Sequence, residues 1–282
     1  MSLKLALLPN LSKDKDLFIT KKIAAKCMEV GGFELYCKPN IHIPNVTNIS
    51  SEDLYKTADF AIVLGGDGTL LSEAQMCADA DLPIIGVNLG TLGFMTAYHP
   101  DVFIEQMEAV FKNEIRIEER MRILVTVERE GKIVFSKTAL NDAVITSRPK
   151  PIYIRECVGD NTIVCFNGDG LIFASPTGST AYSMSAGGPL VSPDLEGILL
   201  TPICPHHLGA RTLIVPANAN PSAQILRCSE DESEVTLSVD GQKGFLLHKN
   251  DIIKATKAKQ ITKLVIPNEN LFYSVLGLKL PR

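Results

Sequence analysis

Over the first third of the chain, short unbroken apolar runs alternate with amphipathic stretches. Leu3 to Leu8 is an apolar run of strand length. From about Leu17, apolar positions at Ile19, Ile23, Cys27 and Val30 recur every three or four residues, the period of one helix face. Gly31-Gly32 supplies the stop. Phe33 to Cys37 reads as a second strand, and Ser50-Ser51-Glu52-Asp53 is a capping-box pattern opening a short helix. Phe60 to Leu64 is continuously apolar, as a strand covered on both faces must be, and it ends at Gly65. A helical pattern over Leu70–Ala78 and a buried strand over Leu82–Val87 follow. A helix then starts at Pro100-Asp101, with Phe103, Ile104, Met107, Val110 and Phe111 on its apolar face. This alternation predicts an α/β domain with a parallel sheet and helices on both sides.

The texture changes near Glu118. Ile123, Val125 and Val127 alternate with other residues, Arg129-Glu130-Gly131-Lys132 turns, and Ile133 to Phe135 continues, which is hairpin grammar. Strand-like pieces recur at Tyr153–Val158, Thr162–Phe166, Leu171–Ala174, Leu213–Val215, Ala223–Cys228 and Val235–Val239, with a turn at Gly159-Asp160-Asn161. Helical pattern is scarce, apart from a stretch from about Ser179 to Gly187-Gly188. The expected organisation is an α/β domain over 1–118 and a β-rich domain over 119–262. The apolar strand that opens 263–282 returns to the first domain.

A chain of 282 residues can bury a sizeable core without disulfide or metal staples. Its net charge of −4, with no Trp and 6% aromatics, argues against a nucleic-acid partner or a base-stacking platform. Seven cysteines, an odd number with no CxxC spacing, read as small buried hydrophobes in a reducing compartment rather than as a zinc site. No apolar run approaches the roughly 20 residues of a membrane span, and the N-terminal apolar stretch is short for a signal peptide. The expectation is a cytoplasmic protein without a membrane partner.

Chemistry concentrates at five places. Gly65-Gly66-Asp67-Gly68-Thr69 sits where a buried strand meets a helix. Glycines let backbone N–H groups approach phosphate, and a helix N-terminus favours anions. That marks Gly65, Gly66, Gly68 and Thr69 as a phosphate cradle. Asp67 does not add phosphate affinity, because like charges repel; it suits a general base, a metal contact or a hydroxyl partner, or else a plain N-cap. Asn88-Leu89-Gly90-Thr91-Leu92-Gly93 follows the next strand and suits a second wall of the same crevice. Leu140-Asn141-Asp142 pairs an amide with a carboxylate, able to read an adenine edge and sugar hydroxyls, although adjacent polar residues at a strand end are more often a turn. Ser175, Thr177, Ser179 and Thr180 crowd one helix start, more hydroxyls than a cap requires. Ser179 and Ser183 are nucleophiles in principle, but no GxSxG elbow supports a hydrolase. His206-His207 reads as structural rather than metal-binding, and Asp240-Gly241-Gln242 reads first as a hairpin turn.

Taken in order, GGDGTLL at 65–71, NLGTLGFMT at 88–96, LND at 140–142, DGLIFASPTGSTAYSMSAGGPLVSP at 169–193 and DGQ at 240–242 closely resemble the ATP-dependent NAD kinase family. The long block is highly specific, whereas GGDGT alone is shared with phosphofructokinases and lipid kinases. The resemblance implies a Rossmann-like N-domain, a β-rich C-domain, and phosphoryl transfer from ATP to the adenosine-ribose 2′-hydroxyl of NAD. It also implies a divalent metal such as Mg²⁺ and a homo-oligomer, a tetramer or a dimer. By position it makes Asp67 the catalytic base and, with Gly68, part of the NAD site. It assigns NAD contacts to Asn141, Asp142, Asp169, Thr180, Ala181, Tyr182, Ser185 and Gln242. Asn167, also placed on NAD, stands where some relatives carry a basic residue. A lipid or sugar kinase sharing only GGDGT, or a silent NAD-binding module, are the competing readings.

Overall fold

The apolar runs of the first third become parallel strands, of which Phe60–Gly65 and Ile84–Asn88 are buried on both faces. The computed structural model describes residues 2–112, 115–228, 234–267 and 271–279. One compact unit comprises Met1–Glu119 with Gln260–Arg282, and a second comprises Arg120–Lys259. The first unit runs β1 (Leu3–Pro9), α1 (Phe18–Val30), β2 (Phe33–Cys37), β3 (Thr47–Asn48), α2 (Ser51–Thr57), β4 (Phe60–Gly65), α3 (Asp67–Asp79), β5 (Ile84–Asn88) and α4 (Pro100–Lys112). Its strands lie side by side in the order β3-β2-β1-β4-β5, all parallel. The order reverses between β1 and β4, and in such sheets the ligand crevice opens outside the carboxyl ends at that point.

Local chemistry explains the helix ends. Ser50 caps α2, accepting from the Asp53 N–H at 3.1 Å, while its own hydroxyl donates to the Asp53 carboxylate at 2.7 Å. Asp53 therefore answers the hydroxyl rather than the Ser50 N–H of the predicted capping box. Ahead of α1, buried Asp14 accepts from the N–H groups of Ile19 and Thr20, each at 2.9 Å, and from the Thr20 hydroxyl. Gly31 and Gly32, at φ +76° and +80°, end that helix in a conformation that favours glycine. The third helix starts at Asp67, not Leu70, because extended Gly66 serves as its N-cap.

The second unit is antiparallel. It contains β6 (Ile117–Arg129, whose first residues belong to the first unit), β7 (Lys132–Ala139), β8 (Asp142–Arg148), β9 (Ile152–Val158), β10 (Asn161–Gly168), β11 (Gly170–Ala174), the one-turn α5 (Tyr182–Ser185), β12 (Gly197–Ile203), β13 (Leu213–Pro216), β14 (Pro221–Arg227), β15 (Glu234–Val239), β16 (Phe245–Leu246) and β17 (Ile252–Val265). One sheet has the order β13-β12-β11-β8-β15-β16, and β10-β9-β14-β17 form an antiparallel run. Side chains from both meet in a single core that includes Ile145, Ile154, Phe166, Phe173, Ile225 and Leu237. Glu130 and Gly131, both at positive φ, make the tight β6–β7 turn. Arg129 clamps that hairpin through two bonds, Nε and Nη2, to the fully buried Asp251 carboxylate at 2.8 and 2.7 Å. The last residues of β17, Leu264 and Val265, pair in parallel with Ile84 and Ile85 of β5, and α6 (Leu271–Lys279) follows in the first unit.

Two further expectations change. The helix from Ser179 to Gly187 is instead a 3-10 turn, Thr177–Thr180, and the single turn α5, broken at Ala181. Ser175 and Ser179 are buried and bonded inside the protein, and two adjacent glycines follow. Of the cysteines, only Cys27, Cys37 and Cys77 are buried and Cys204 is exposed; all seven are free thiols. Alternating strands leave every second side chain near the surface, which an apolar count does not reveal.

Candidate active site

In the first unit, β4 delivers Gly65 to the carboxyl edge and α3 begins two residues later. A Cβ on Gly65 would lie 2.3 Å from Thr69 Oγ1, so only glycine lets the turn close this tightly. The Thr69 hydroxyl accepts from Asn10 Nδ2 at 2.8 Å, which ties the loop after β1 to the turn. Gly68 faces open space.

Asp67 is the first residue of α3, and its carboxylate turns away from its own helix. Oδ1 accepts from the Met95 and Thr96 N–H groups at 3.2 and 3.1 Å and from the Thr96 hydroxyl at 3.0 Å. Among the described residues Oδ2 accepts from the Phe94 N–H alone, at 2.7 Å. One oxygen is thus held by three donors and the other keeps a lone pair. The plain N-cap reading is excluded, since Gly66 holds that position. A Cβ on Gly93 would fall 2.0 Å from Asp67 Oδ1, so that glycine is needed for the carboxylate to dock. Buried Asn88 braces the same segment. Its Nδ2 donates to Thr91 O and Thr96 Oγ1, at 2.8 and 2.7 Å, and its Oδ1 accepts from the Gly90 N–H.

In the second unit, Leu140-Asn141-Asp142 joins β7 to β8. Ser175 braces this turn, donating its N–H to Asn141 O at 2.8 Å and its hydroxyl to Leu140 O at 2.5 Å. Gly178 packs so close that a Cβ there would lie 2.0 Å from Asn141 O. The buried Asp142 carboxylate accepts from the Tyr182 N–H. Burial first, and the nearby Asp240 charge second, push Asp142 up to about 7 against the pull of that N–H.

The family models for the ATP-NAD kinase N-terminal and C-terminal domains match residues 21–115 and 140–266. The chain is 41% identical to the NAD kinase of Geobacter metallireducens over 83% of its own length and 82% of that protein. It is 37% identical to the NAD kinase of Caldanaerobacter subterraneus subsp. tengcongensis over 98% of both chains. The chain belongs to the NAD kinase family. Two solved structures share the fold of this family of kinases. One is an NAD kinase from Archaeoglobus fulgidus in complex with ATP, with TM-score 0.74, 26% identity and 98% of both chains covered. The other is yeast NADH kinase complexed with NADH, with TM-score 0.88, 23% identity, and 100% of this chain and 89% of that one covered.

Among the residues that the NAD kinase motifs single out, Asn141, Asp142 and Tyr182 come together. Asp169 does not join them. Ala174 pairs with Asp142 across β11–β8, and Asp169 lies five residues back, roughly 17 Å at about 3.4 Å per residue. Asp169 is exposed beside Asn167, whose backbone accepts from the His206 N–H. His206 and His207 lie exposed in a loop rather than in a strand, and His207 Nδ1 accepts from the Gly209 N–H. Thr180 donates back to Thr177 O, Ala181 is the break between the two turns, and Tyr182 and Ser185 begin and end α5. Gln242 is exposed, with its side-chain oxygen engaged by Lys137 Nζ.

The four hydroxyls read as ligand groups have internal partners. Ser175 bonds Leu140 O, Ser179 both donates to and accepts from Val191, and Thr177 accepts from Arg120. Ser183 is buried against the Thr201 hydroxyl, 2.8 Å away, which removes it as a nucleophile. The sequence reading missed Thr96 and the Asp240 carboxylate. It also missed Arg227, whose guanidinium reaches Asn167 Oδ1 at 3.5 Å from β14 and so puts a cation beside the residue that lacks one.

Proposed function

We infer that this protein is an ATP-dependent NAD kinase, phosphorylating the adenosine-ribose 2′-hydroxyl of NAD to give NADP and ADP. The observation that carries this is the 37% identity to a named NAD kinase across 98% of both chains. In the first unit the assignment is Gly65, Gly66, Gly68 and Thr69 to the ATP phosphates, with Asp67 as general base; Asp67 and Gly68 also contact NAD. Oδ2 takes the hydroxyl proton while Oδ1 stays held by its three donors. In the second unit it is Asn141, Asp142, Asn167, Asp169, Thr180, Ala181, Tyr182, Ser185 and Gln242 to NAD. Positioning and charge stabilisation do most of the work in phosphoryl transfer.

Mg²⁺ fits this scheme as a companion of the ATP phosphates. The described residues hold no cluster of three or more His, Cys, Asp or Glu. Mg²⁺ commonly relies on substrate phosphates and retained water rather than a protein cage. When bound it neutralises phosphate charge, and no residue of this chain is assigned to it.

Incubation with ATP, Mg²⁺ and NAD should yield NADP. Absence of NADP with retained NAD binding favours the silent module, and phosphorylation of a lipid or sugar instead favours the wider GGDGT group. Asn141→Ala should raise the NAD KM about 2- to 13-fold, the equivalent of one hydrogen bond of roughly 0.5–1.5 kcal/mol, and leave the ATP KM near the parent value. Equal rises for both substrates count against Asn141 on NAD.

Self-association belongs to the same proposal. The edge strand β7 exposes Ile133 and Val134, and the terminal strands β13 and β16 expose Ile214 and Leu246. Such edges are ordinarily covered. Light scattering at micromolar concentration should give a tetramer or dimer, and a fully active monomer overturns this. No described helix is long and apolar enough to cross a membrane. Seven free cysteines support a reducing, cytoplasmic setting.

A further inference from the structure

We propose that Asp240 is a positioning residue for NAD phosphorylation, its carboxylate holding the Leu140–Asn141–Asp142 turn in the conformation that presents the Asn141 and Asp142 side chains. This rests on the assignment of those two side chains to NAD.

Three consecutive N–H groups in a turn form a concavity that attracts an anion. Here the anion comes from within the chain. Asp240 Oδ2 accepts from the Leu140 N–H at 2.8 Å, and Oδ1 accepts from the Asn141 and Asp142 N–H groups at 2.8 and 3.2 Å. The Asp240 N–H returns a bond to Asp142 O at 2.9 Å. With Ser175 on Leu140 O and Asn141 O, every backbone donor and acceptor of the three-residue turn has a partner. Its shape is therefore set from two sides, by the β15 turn and by the segment after β11.

Hairpin chemistry alone does not call for a carboxylate here. Asp240 has φ +49° and Gly241 φ +70°, a tight turn that Asn-Gly would form equally well. What distinguishes Asp is two accepting oxygens. An amide offers one, and its NH₂ would confront a backbone N–H. The charged groups around this carboxylate are Asp142, across the turn, and Arg122 of β6. Burial works against ionisation of Asp240, while the three N–H groups and Arg122 work for it.

The test is steady-state kinetics of the purified full-length enzyme with Asp240→Asn and Asp240→Gly. The glycine variant deletes the carboxylate and relaxes the positive-φ position, which protects folding. Both should raise the NAD KM about tenfold or more, with the ATP KM within about twofold. Adding Asn141→Ala to either should cost less than in the parent, because Asp240 acts through that turn. A lower melting temperature with parental NAD KM in the Gly variant overturns the proposal and leaves Asp240 a stabilising residue only. Asn141→Ala alone separates the two levels. If it leaves the NAD KM unchanged, the NAD assignment has failed. If it raises the NAD KM while the Asp240 variants do not, the positioning role has failed.

Discussion

Asp67→Asn is expected to lose roughly 10²–10⁴ in kcat, the usual size of a general-base contribution, and to melt a few degrees below the parent. Isosteric replacement alone predicts normal folding, but the surroundings of this carboxylate predict otherwise. An Asn oxygen in the Oδ1 position keeps the Met95 and Thr96 donors, and its NH₂ then faces the Phe94 N–H. Donor against donor in a part-buried site costs about 1–3 kcal/mol. A second variant separates the base from a mere clamp on residues 94–96. Thr96→Val removes one donor and leaves the carboxylate in place. It should lower the melting temperature comparably, yet keep kcat within about tenfold. Equal loss of turnover in both variants would reduce Asp67 to a clamp, and parental turnover in Asp67→Asn would eliminate it as the base.

The largest gain in stability is expected from Glu156→Leu. Glu156 lies on β9, on the same face as Ile152 and Ile154, and is paired with Ala223 and Val164 on the neighbouring strands. It is 1% exposed, and neither carboxyl oxygen has a hydrogen-bond partner among the described residues. Burial pushes its pKa up from 4.5 to about 7. A carboxyl raised in this way is protonated in the folded protein over a range where the unfolded chain has already released the proton. Its contribution to stability therefore falls as pH rises from about 4.5 to about 7 and is level above that. At about 1.4 kcal/mol per pH unit, the penalty reaches roughly 3 kcal/mol. Glu156→Leu should thus raise the melting temperature more at pH 8 than at pH 5, by about 5 °C, with kcat unchanged. Equal shifts at the two pH values would mean that Glu156 ionises freely in the folded protein.

The two predictions differ in how far the sequence foreshadowed them. β4 and β5 were legible because both faces are covered, so their apolar runs have no gaps, and β1 and β2 were legible despite Lys4 and Glu34. The fully buried β12 was not, since Pro202 and Thr201 interrupt Gly-Ile-Leu-Leu-Thr-Pro-Ile and read as a loop. β8 was obscured by Thr146 and Ser147. Asp67 stood out through its glycines, but its partners are 27 to 29 residues away, beyond the reach of local pattern. Asp240 shows the same limit. Asp-Gly is a correct hairpin signal for the backbone, and the signal says nothing about a side chain bonded 98 to 100 residues back. Ser175 and Ser179 show a further limit, because hydroxyls that satisfy buried carbonyls look the same in sequence as hydroxyls that await a ligand.

The fourteen residues of β17 leave a mark on biosynthesis. Beside β5, Tyr98 bridges Val87, but Ile84 and Ile85 gain their neighbours, Leu264 and Val265, only at the end of β17, whereas β5 itself ends at Asn88. A ribosome adding about 5–20 residues per second needs roughly 9–35 s to travel between those points. For most of that interval Tyr98 already holds Gly86 and Asn88, while Ile84 and Ile85 wait for their strand partners as an entire second unit is translated. Docking of the late strand completes the layer, so a chain stopped between 99 and 263 leaves the backbone of Ile84 and Ile85 open to pairing with another chain.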